Sequence, residues 1–320
     1  MKLYKPTPEQ APYGLRALKM VAEAPGEIHP SALKLIMAAQ QQLAGTAIPV
    51  GDLPPITPEE LAKHFVEQPL RLQLIHGMVA VSLVSDFPPQ SQVDVIHSFA
   101  EGFGIKSELL ETVQKAVDGH MLAFRMCYLR RTHFKDFAKT ELTHRGAIGT
   151  AKALANFAGL VEDKVLSAKY EALKDLPPGT LGHELHAYYV SNGFGWPGQK
   201  HGFPEAGVSH DVSHLISGYD TTAAGETLVA GFVGGYRQDP NAFFTALFGL
   251  IIFSTGYQLP PGHIAAHADS IGQPGVAARL FRAIERGSLM TKDISVNFLV
   301  WPYVERPLDE LRREWNVEPE

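Results

Sequence analysis

The chain has 320 residues, of which 45% are hydrophobic, so it is long and apolar enough for one large folded domain or two ordinary ones. Its formal net charge of −6 gives neither the basic surface of a nucleic-acid-binding protein nor the polybasic segment of a membrane-surface protein. The single cysteine, Cys127, excludes an internal disulfide and is typical of a reducing compartment. Residues 1–14 resemble neither a signal peptide nor a transit peptide, so we expect a cytoplasmic protein.

Helical spacing of apolar residues dominates the chain, whereas the alternation typical of strands is scarce. We therefore predict an all-α fold. In the N-terminal part the pattern predicts helices, the second of them capped by Thr57, over residues 31–43, 58–67, 69–84, 90–103 and 107–128.

Residues 130–145 are dense in charge and poor in large aliphatic side chains. Such a segment is either a solvated helix or a linker. We predict that it divides the chain into two helical units, residues 1–140 and residues 141–320.

The second half of the chain mixes helical segments with one long loop. The pattern predicts helices over 151–173, 222–236, 241–253, 274–287 and 307–315, and a short segment of apolar residues and histidines over 182–189. The glycine- and proline-rich residues 193–207 predict a loop that is mobile or folds over another part of the protein. Residues 241–262 carry no charge, but Pro260 and Pro261 end the apolar run before it could span a bilayer, which indicates a buried helix.

Residues 209–226, SHDVSHLISGYDTTAAGE, contain the most specific chemical pattern of the chain. His210 and His214 are four residues apart and therefore share one helix face, where both can reach one ion. Gly218 is expected to end this helix, and Thr221 or Thr222 to cap the next. The turn would return Glu226 toward the two histidines.

Asp211 leaves two arrangements open. If it binds the ion together with both histidines and Glu226, the site is closed and structural; if it lies outside, one position stays open for substrate or water. Zinc accepts such a ligand set readily, and manganese or iron accept it less selectively. The alternative without metal is a hydrogen-bonded polar seam between two helices.

The pattern His210-Asp211, His214 and Glu226 resembles the signature of the Coq-four family of ubiquinone (coenzyme Q) biosynthesis. Residues 176–189, LPPGTLGHELHAYY, are similar to that family's proline–glycine–threonine block. Residues 300–317, VWPYVERPLDELRREWNV, are similar to its closing segment. The resemblance covers about residues 145–318.

The resemblance implies an all-α domain, a divalent metal that is usually zinc, and a hydrophobic tunnel for a polyprenyl chain. It assigns the metal and the catalysis to His210, Asp211, His214 and Glu226. Contact with the lipid would come from Tyr219, Phe243, Phe244, Leu247, Phe248 and Ile251. The implied reaction replaces the ring carboxyl group of a prenylated quinone precursor by a hydroxyl group.

The resemblance also implies partners. These are a polyprenylated precursor or another isoprenoid lipid, the enzymes of the same pathway and a second copy of the chain, with peripheral contact at the inner face of the membrane. The N-terminal part is not covered; residues 74–105 within it are similar to the helical TerB-like (tellurite-resistance) domain, with Asp86 in place but the second acidic residue replaced.

Three functions compete. The first is a metal-dependent enzyme acting on a prenylated ring, and the second is a non-catalytic scaffold that binds polyprenyl lipid. The third is a histidine–aspartate phosphohydrolase, which needs an upstream histidine and a downstream aspartate that the sequence does not assign. Five other histidines are weaker candidates for function, namely His183, His186, His201, His263 and His267.

Overall fold

The computed structural model describes residues 1–259 and 268–320, and within them it confirms an all-helical fold without strands. Two residues, Thr180 and Pro307, form an isolated β-bridge. No helix in these two ranges is both long and apolar enough to cross a membrane. His263 and His267, and the proline pair that ends the apolar run, lie outside the described residues.

Seven helices precede the charge-dense segment. They are α1 (Ala11–Glu23), α2 (Pro30–Ala39), α3 (Pro58–His64), α4 (Gln68–Ser82), α5 (Gln90–Phe103), α6 (Glu108–Val117) and α7 (Met121–Leu129). Helix α1 is absent from the helices that the sequence predicts, although its apolar residues follow helical spacing and line one buried face. The single helix predicted over 107–128 is wrong, because the left-handed Gly119 ends α6 and the chain restarts as α7.

Most of the charge-dense segment belongs to α8 (His133–Phe157), so the segment is helical as one alternative predicts, but it is not fully solvated, because Asp136 and Glu141 are buried. This helix runs through the boundary predicted at residue 140, and the division into two units stays a prediction. The helix predicted over 151–173 is interrupted after α8, and the chain resumes as α9 (Lys164–Glu171), which Asp163 caps.

The remaining helices build the C-terminal part. They are α10 (Leu181–Asn192), α11 (Val208–Ser217), α12 (Ala223–Tyr236), α13 (Ala242–Ala246), α14 (Phe248–Thr255), α15 (Val276–Leu289) and α16 (Leu308–Glu314). The single helix predicted over 241–253 is in fact the pair α13 and α14, which meet at Leu247.

One continuous hydrophobic core extends through both halves of the chain, from Leu15 to Val317. Helix α12 lies at its centre and packs against α11, α13, α14 and α15. Its contact with α15 is close because glycines face each other: a Cβ on Gly287 would lie 2.1 Å from the carbonyl oxygen of Phe232 and 3.0 Å from the Cα of Gly235. The N-terminal helix α2 also packs on α15, so the two halves share this core.

A buried ion pair ties α8 to the end of α12. Arg237, only 1% exposed, donates from Nη1 to Asp136 Oδ2 at 2.7 Å and to Ser295 Oγ at 3.1 Å. Asp136 is itself buried. The guanidinium therefore neutralises a buried carboxylate, and removal of either charge would leave the other buried without a partner.

Helix α8 is broken at Gly146, whose φ of 65° and ψ of −178° lie in a region that only glycine adopts without strain. We expect Gly146→Ala to lower the free energy of unfolding by about 1–3 kcal/mol, measured by urea denaturation. Gly51→Ala is the matched control, because Gly51 is exposed, has no positive φ and has open space where the added methyl group would lie. Equal effects of the two substitutions would contradict the expectation.

Candidate metal centre

The predicted ligands lie on a hairpin of two helices. Gly218, which has a left-handed φ of 82°, caps the end of α11, and α12 begins after Thr222, whose hydroxyl accepts a hydrogen bond from the Gly225 N–H. The sequence predicts this helix end at Gly218, and Thr222 is one of the two residues that it predicts as the next cap. Glu226 consequently lies in the first turn of α12 and faces back toward α11.

Three side chains converge at this hairpin. The Nε2 atoms of His210 and His214 lie 3.2 Å apart, and each is 3.3 Å from a different oxygen of the Glu226 carboxylate. Their candidate ligand atoms all lie within 4.8 Å of one another, so the group could hold a metal ion. Two imidazole nitrogens and a carboxylate are the donor set of many catalytic zinc sites.

A hydrogen bond orients His214. Its Nδ1 lies 3.0 Å from the carbonyl oxygen of Tyr219, an acceptor, so Nδ1 donates to that oxygen and the ring is held with Nε2 toward the centre. Tyr219 is in turn fixed, because Arg286 donates from Nη1 to its hydroxyl oxygen at 2.6 Å. The predicted lipid contact Tyr219 thus meets the site through its backbone, while its ring lies under Arg286.

Asp211 does not join the three converging side chains. Its Oδ2 accepts a hydrogen bond from the Tyr189 hydroxyl at 2.5 Å, and the Tyr189 ring stacks on Trp196 with ring centroids 5.1 Å apart. Trp196 belongs to the glycine- and proline-rich loop, which therefore folds over α10. Of the two arrangements that the sequence left open, this geometry favours an outer position for Asp211.

Charges within the centre balance one another. Burial by itself would raise the pKa of Glu226, but hydrogen bonds from His210 and His214 outweigh burial and lower that pKa to about 2. Burial would lower the pKa of His210, yet the hydrogen bond with Glu226 and the negative charges of Glu226 and Asp211 raise it above its usual value. Burial raises the pKa of Asp211. The centre thus holds an ionised Glu226 against a His210 that binds a proton more tightly than usual.

One side of the centre is open. The His214 side chain is 1% exposed, whereas those of His210 and Glu226 are 29% and 25% exposed. A substrate can therefore approach a bound ion from the side of His210 and Glu226, whereas His214 would hold the ion from the buried side. A purely structural site has no need of such an opening.

Two side chains beside the centre are absent from the residues that the sequence predicts for it. His133, at the start of α8, is buried and stacks parallel to His210 with ring centroids 6.2 Å apart. Burial lowers its pKa, and its Nδ1 has no hydrogen-bond partner among the described residues. Tyr188 packs on His214, with ring centroids 5.7 Å apart, and burial raises the pKa of its hydroxyl. Both reach the centre from other helices, so the spacing within residues 209–226 gives no sign of them.

The predicted lipid contacts lie in different places. Phe248 packs on His133 at a centroid distance of 5.5 Å and on Phe134 at 5.2 Å, so it borders the centre. Phe244 packs on Tyr128, which also donates a hydrogen bond to its carbonyl oxygen. The other three of this group either line a cavity away from the centre or lie in the core, namely Phe243, Leu247 and Ile251.

The weaker histidine candidates do not form a second centre in the part of the chain that the structure describes. His183 pairs with its neighbour Glu184, and His186 stacks on Trp196. His201 is exposed, and its backbone N–H donates to the carbonyl oxygen of Asn156.

Comparison with known proteins found no family model that matches the chain, no similar curated protein and no similar solved structure. What the chain does must therefore be inferred from the centre itself.

Proposed function

We propose that this chain is a metal-dependent enzyme of coenzyme Q (ubiquinone) biosynthesis that acts on a prenylated aromatic ring. One observation carries the proposal: His210, His214 and Glu226 converge within 4.8 Å and keep an open side. The substrate class comes from the resemblance of the surrounding residues to the Coq-four family. The proposed reaction is replacement of the ring carboxyl group by a hydroxyl group.

Zinc is the metal that we propose, because two imidazole nitrogens and a carboxylate suit its preferred ligands. Bound there, it would act as a Lewis acid for a carboxylate or phenolate of the substrate. Replacement of the carboxyl group by a hydroxyl group is a two-electron oxidation, and zinc has no redox chemistry of its own. Dioxygen would therefore accept the two electrons and leave as hydrogen peroxide, while water would supply the hydroxyl group and the carboxyl group would leave as carbon dioxide.

The side chains around the centre orient the metal ligands and bind the substrate. The Tyr219 carbonyl keeps the His214 proton on Nδ1, and the Tyr189 hydroxyl fixes the Asp211 carboxylate beside the two ligating histidines. Tyr188 keeps its phenolic proton, because burial raises its pKa, and can donate that proton in a hydrogen bond to a bound anion. Aromatic rings of Phe134 and Phe248 limit water on the His133 side.

Turnover tests the proposal. Purified protein, assayed by elemental analysis and then incubated with a carboxylated prenyl-phenol in air, should contain the metal and release carbon dioxide. Removal of the metal with a chelator should stop the release, and its return should restore it. Metal-loaded protein that leaves the substrate unchanged would refute the enzymatic role.

The aromatic and aliphatic side chains of α13 and α14 favour a second function, a non-catalytic scaffold that binds polyprenyl lipid and presents it to partner enzymes. Such a protein would contact the inner face of the membrane peripherally. The two functions differ in one measurement: a His210→Ala variant that keeps full biological activity and its co-purified lipid would favour the scaffold.

Metal affinity should depend on pH through His210. Glu226, with a pKa of about 2, stays ionised, whereas His210 holds its proton above the usual 6.5 and must release it before it can bind an ion. Because protons compete with the metal, we expect the apparent affinity for Zn²⁺ to rise with pH through and above 6.5, then to level off once His210 is neutral. Isothermal titration calorimetry in buffers of different ionisation enthalpy measures both the affinity and the proton released. An affinity that is constant between about pH 6 and about pH 8 would contradict this.

A further inference from the structure

Two arginines cap the C-terminal end of α11, the helix that carries both histidines of the metal centre. The last carbonyl groups of a helix have no partner within the helix. Arg312 of α16 donates from Nη2 to the carbonyl oxygen of Leu215 at 2.7 Å and from Nε to that of Ile216 at 3.2 Å. Arg286 of α15 donates from Nη2 to the carbonyl oxygen of Ser217 at 3.0 Å. Neighbouring helices therefore fix this helix end, and their positive charges also suit its dipole.

Arg286 makes a second contact that Arg312 does not make. Its Nη1 donates to the Tyr219 hydroxyl oxygen at 2.6 Å, while its Nη2 holds the carbonyl oxygen of Ser217. Between these two residues lies Gly218, with its φ of 82°, where the chain leaves α11. One guanidinium thus fixes both the residue before the turn and the residue after it.

The guanidinium of Arg286 is itself held in place. The residue is 7% exposed, and its charged group lies 5.2 Å from the centroid of the Tyr219 ring. Its Nε and Nη2 both donate to the carbonyl oxygen of Glu318, at 2.9 Å and 2.6 Å. All these acceptors are uncharged oxygens, whereas the buried Arg237 is paired with the carboxylate of Asp136. Buried arginines are usually paired with an acid, so the exception at Arg286 indicates a role in holding the turn.

Tyr219 transmits this arrangement to the metal centre. Its carbonyl oxygen accepts the Nδ1–H of His214 at 3.0 Å. The His214 side chain is 1% exposed, so solvent has little access to replace that acceptor. The direction of the carbonyl group depends on the backbone of residues 218–219, which Arg286 fixes from the other side. Partners that orient a histidine ligand in this way commonly decide how tightly a metal is bound.

We propose that Arg286 is a positioning residue of the metal centre, which acts through Tyr219 to hold the His214 ring in the orientation that binds the ion. This inference rests on the metal binding proposed above. It gives α15, and the segment around Glu318 that holds Arg286, a part in metal affinity although neither supplies a ligand.

Three substitutions test the proposal. Arg286→Met removes every donor of the guanidinium but fills similar volume, and Tyr219→Phe removes only the hydroxyl group. Arg312→Met is the matched control, because Arg312 caps the same helix end and donates to Asp309, but not to Tyr219. The affinity of each full-length protein for Zn²⁺ is measured by competition with a chromophoric chelator, and circular dichroism checks the fold.

We expect Arg286→Met to weaken Zn²⁺ binding by about 10–100-fold, the range for partners that orient metal ligands. Arg312→Met should keep the affinity of the unaltered protein, and Tyr219→Phe should lose part of it. The sign is informative, because loss of a nearby positive charge would by itself strengthen the binding of a cation. Weaker binding in Arg286→Met therefore reports lost orientation, whereas equal losses in the two arginine variants would show a merely structural cap and overturn the proposal.

A second measurement needs no metal. In metal-free protein with ¹⁵N-labelled histidine, the Nδ1–H resonance of His214 is identified by its absence in His214→Asn. We expect the unaltered protein and Arg312→Met to show this resonance, and Arg286→Met to lose it through exchange with water. If Arg286→Met does not fold, Tyr219→Phe takes its place in both measurements.

The two measurements keep the inference separate from the proposed function. If the unaltered protein binds no Zn²⁺, the proposed function fails, and the His214 resonance alone decides the role of Arg286. A folded Arg286→Met that keeps this resonance would overturn the positioning role. So would one that keeps the Zn²⁺ affinity of an unaltered protein that does bind the metal.

Discussion

Glu226→Ala should empty the metal centre and leave the chain folded. The carboxylate contacts both histidines through different oxygens, at 3.3 Å each, so its removal leaves only two imidazoles to hold an ion. Outer partners of metal ligands are already worth roughly 10–100-fold in affinity, so the loss of a direct ligand should exceed that range. We expect the metal content to fall to background and any turnover to stop with it.

The matched control for this substitution is Glu184→Ala. Glu184 also stands beside histidines in sequence, but among the described residues it belongs to no group that could share an ion. Elemental analysis of both variants, together with circular dichroism, separates loss of the metal from loss of the fold. If Glu226→Ala retained the metal of the unaltered protein, the proposed coordination would be wrong.

Arg237→Met should cause the largest loss of stability among the single substitutions considered. The methionine fills similar volume, but it leaves the buried Asp136 carboxylate without its 2.7 Å partner and Ser295 without a donor. Breaking a buried ion pair from one side costs about 3–5 kcal/mol, because the remaining charge is buried and uncompensated. The midpoint of urea denaturation should fall accordingly.

Two further variants show whether the unpaired charge is the cause. The double variant Asp136→Asn, Arg237→Met should recover part of the loss, since no charge then remains buried. Lys5→Met breaks a pair whose side chains are 59% and 48% exposed and should cost no more than about 1 kcal/mol. If Arg237→Met were no worse than Lys5→Met, the buried pair would contribute little to stability.

Local signals predicted the hairpin of α11 and α12 well. The spacing of His210 and His214, the glycine at 218 and the cap at Thr222 are properties of neighbouring residues, and the structure shows the hairpin that they imply. His133 and Tyr188 could not be found in this way, because they reach the centre from α8 and α10 through tertiary packing. The outer position of Asp211 depends on Tyr189, which is 22 residues away in sequence.

The prediction of the helices is likewise correct where local signals decide and wrong where tertiary packing decides. Helical periodicity identified most of them, but it could not locate breaks inside apolar runs, such as the junction of α13 and α14 at Leu247. Likewise, a charge-dense segment suggested solvent exposure, yet Asp136 and Glu141 of α8 are buried. Composition reports the average environment of a segment, whereas Arg237, which neutralises Asp136, lies 101 residues away along the chain.

The pair α13–α14 contacts two different environments. Phe243 and Leu247 line the apolar cavity away from the centre, whereas Phe248 packs on His133 beside the candidate metal centre. A change of residue in this short stretch must therefore satisfy two unrelated surroundings at once. For protein engineering, a substitution in α13–α14 therefore has to preserve both the packing around Leu247 and the packing of Phe248 on His133.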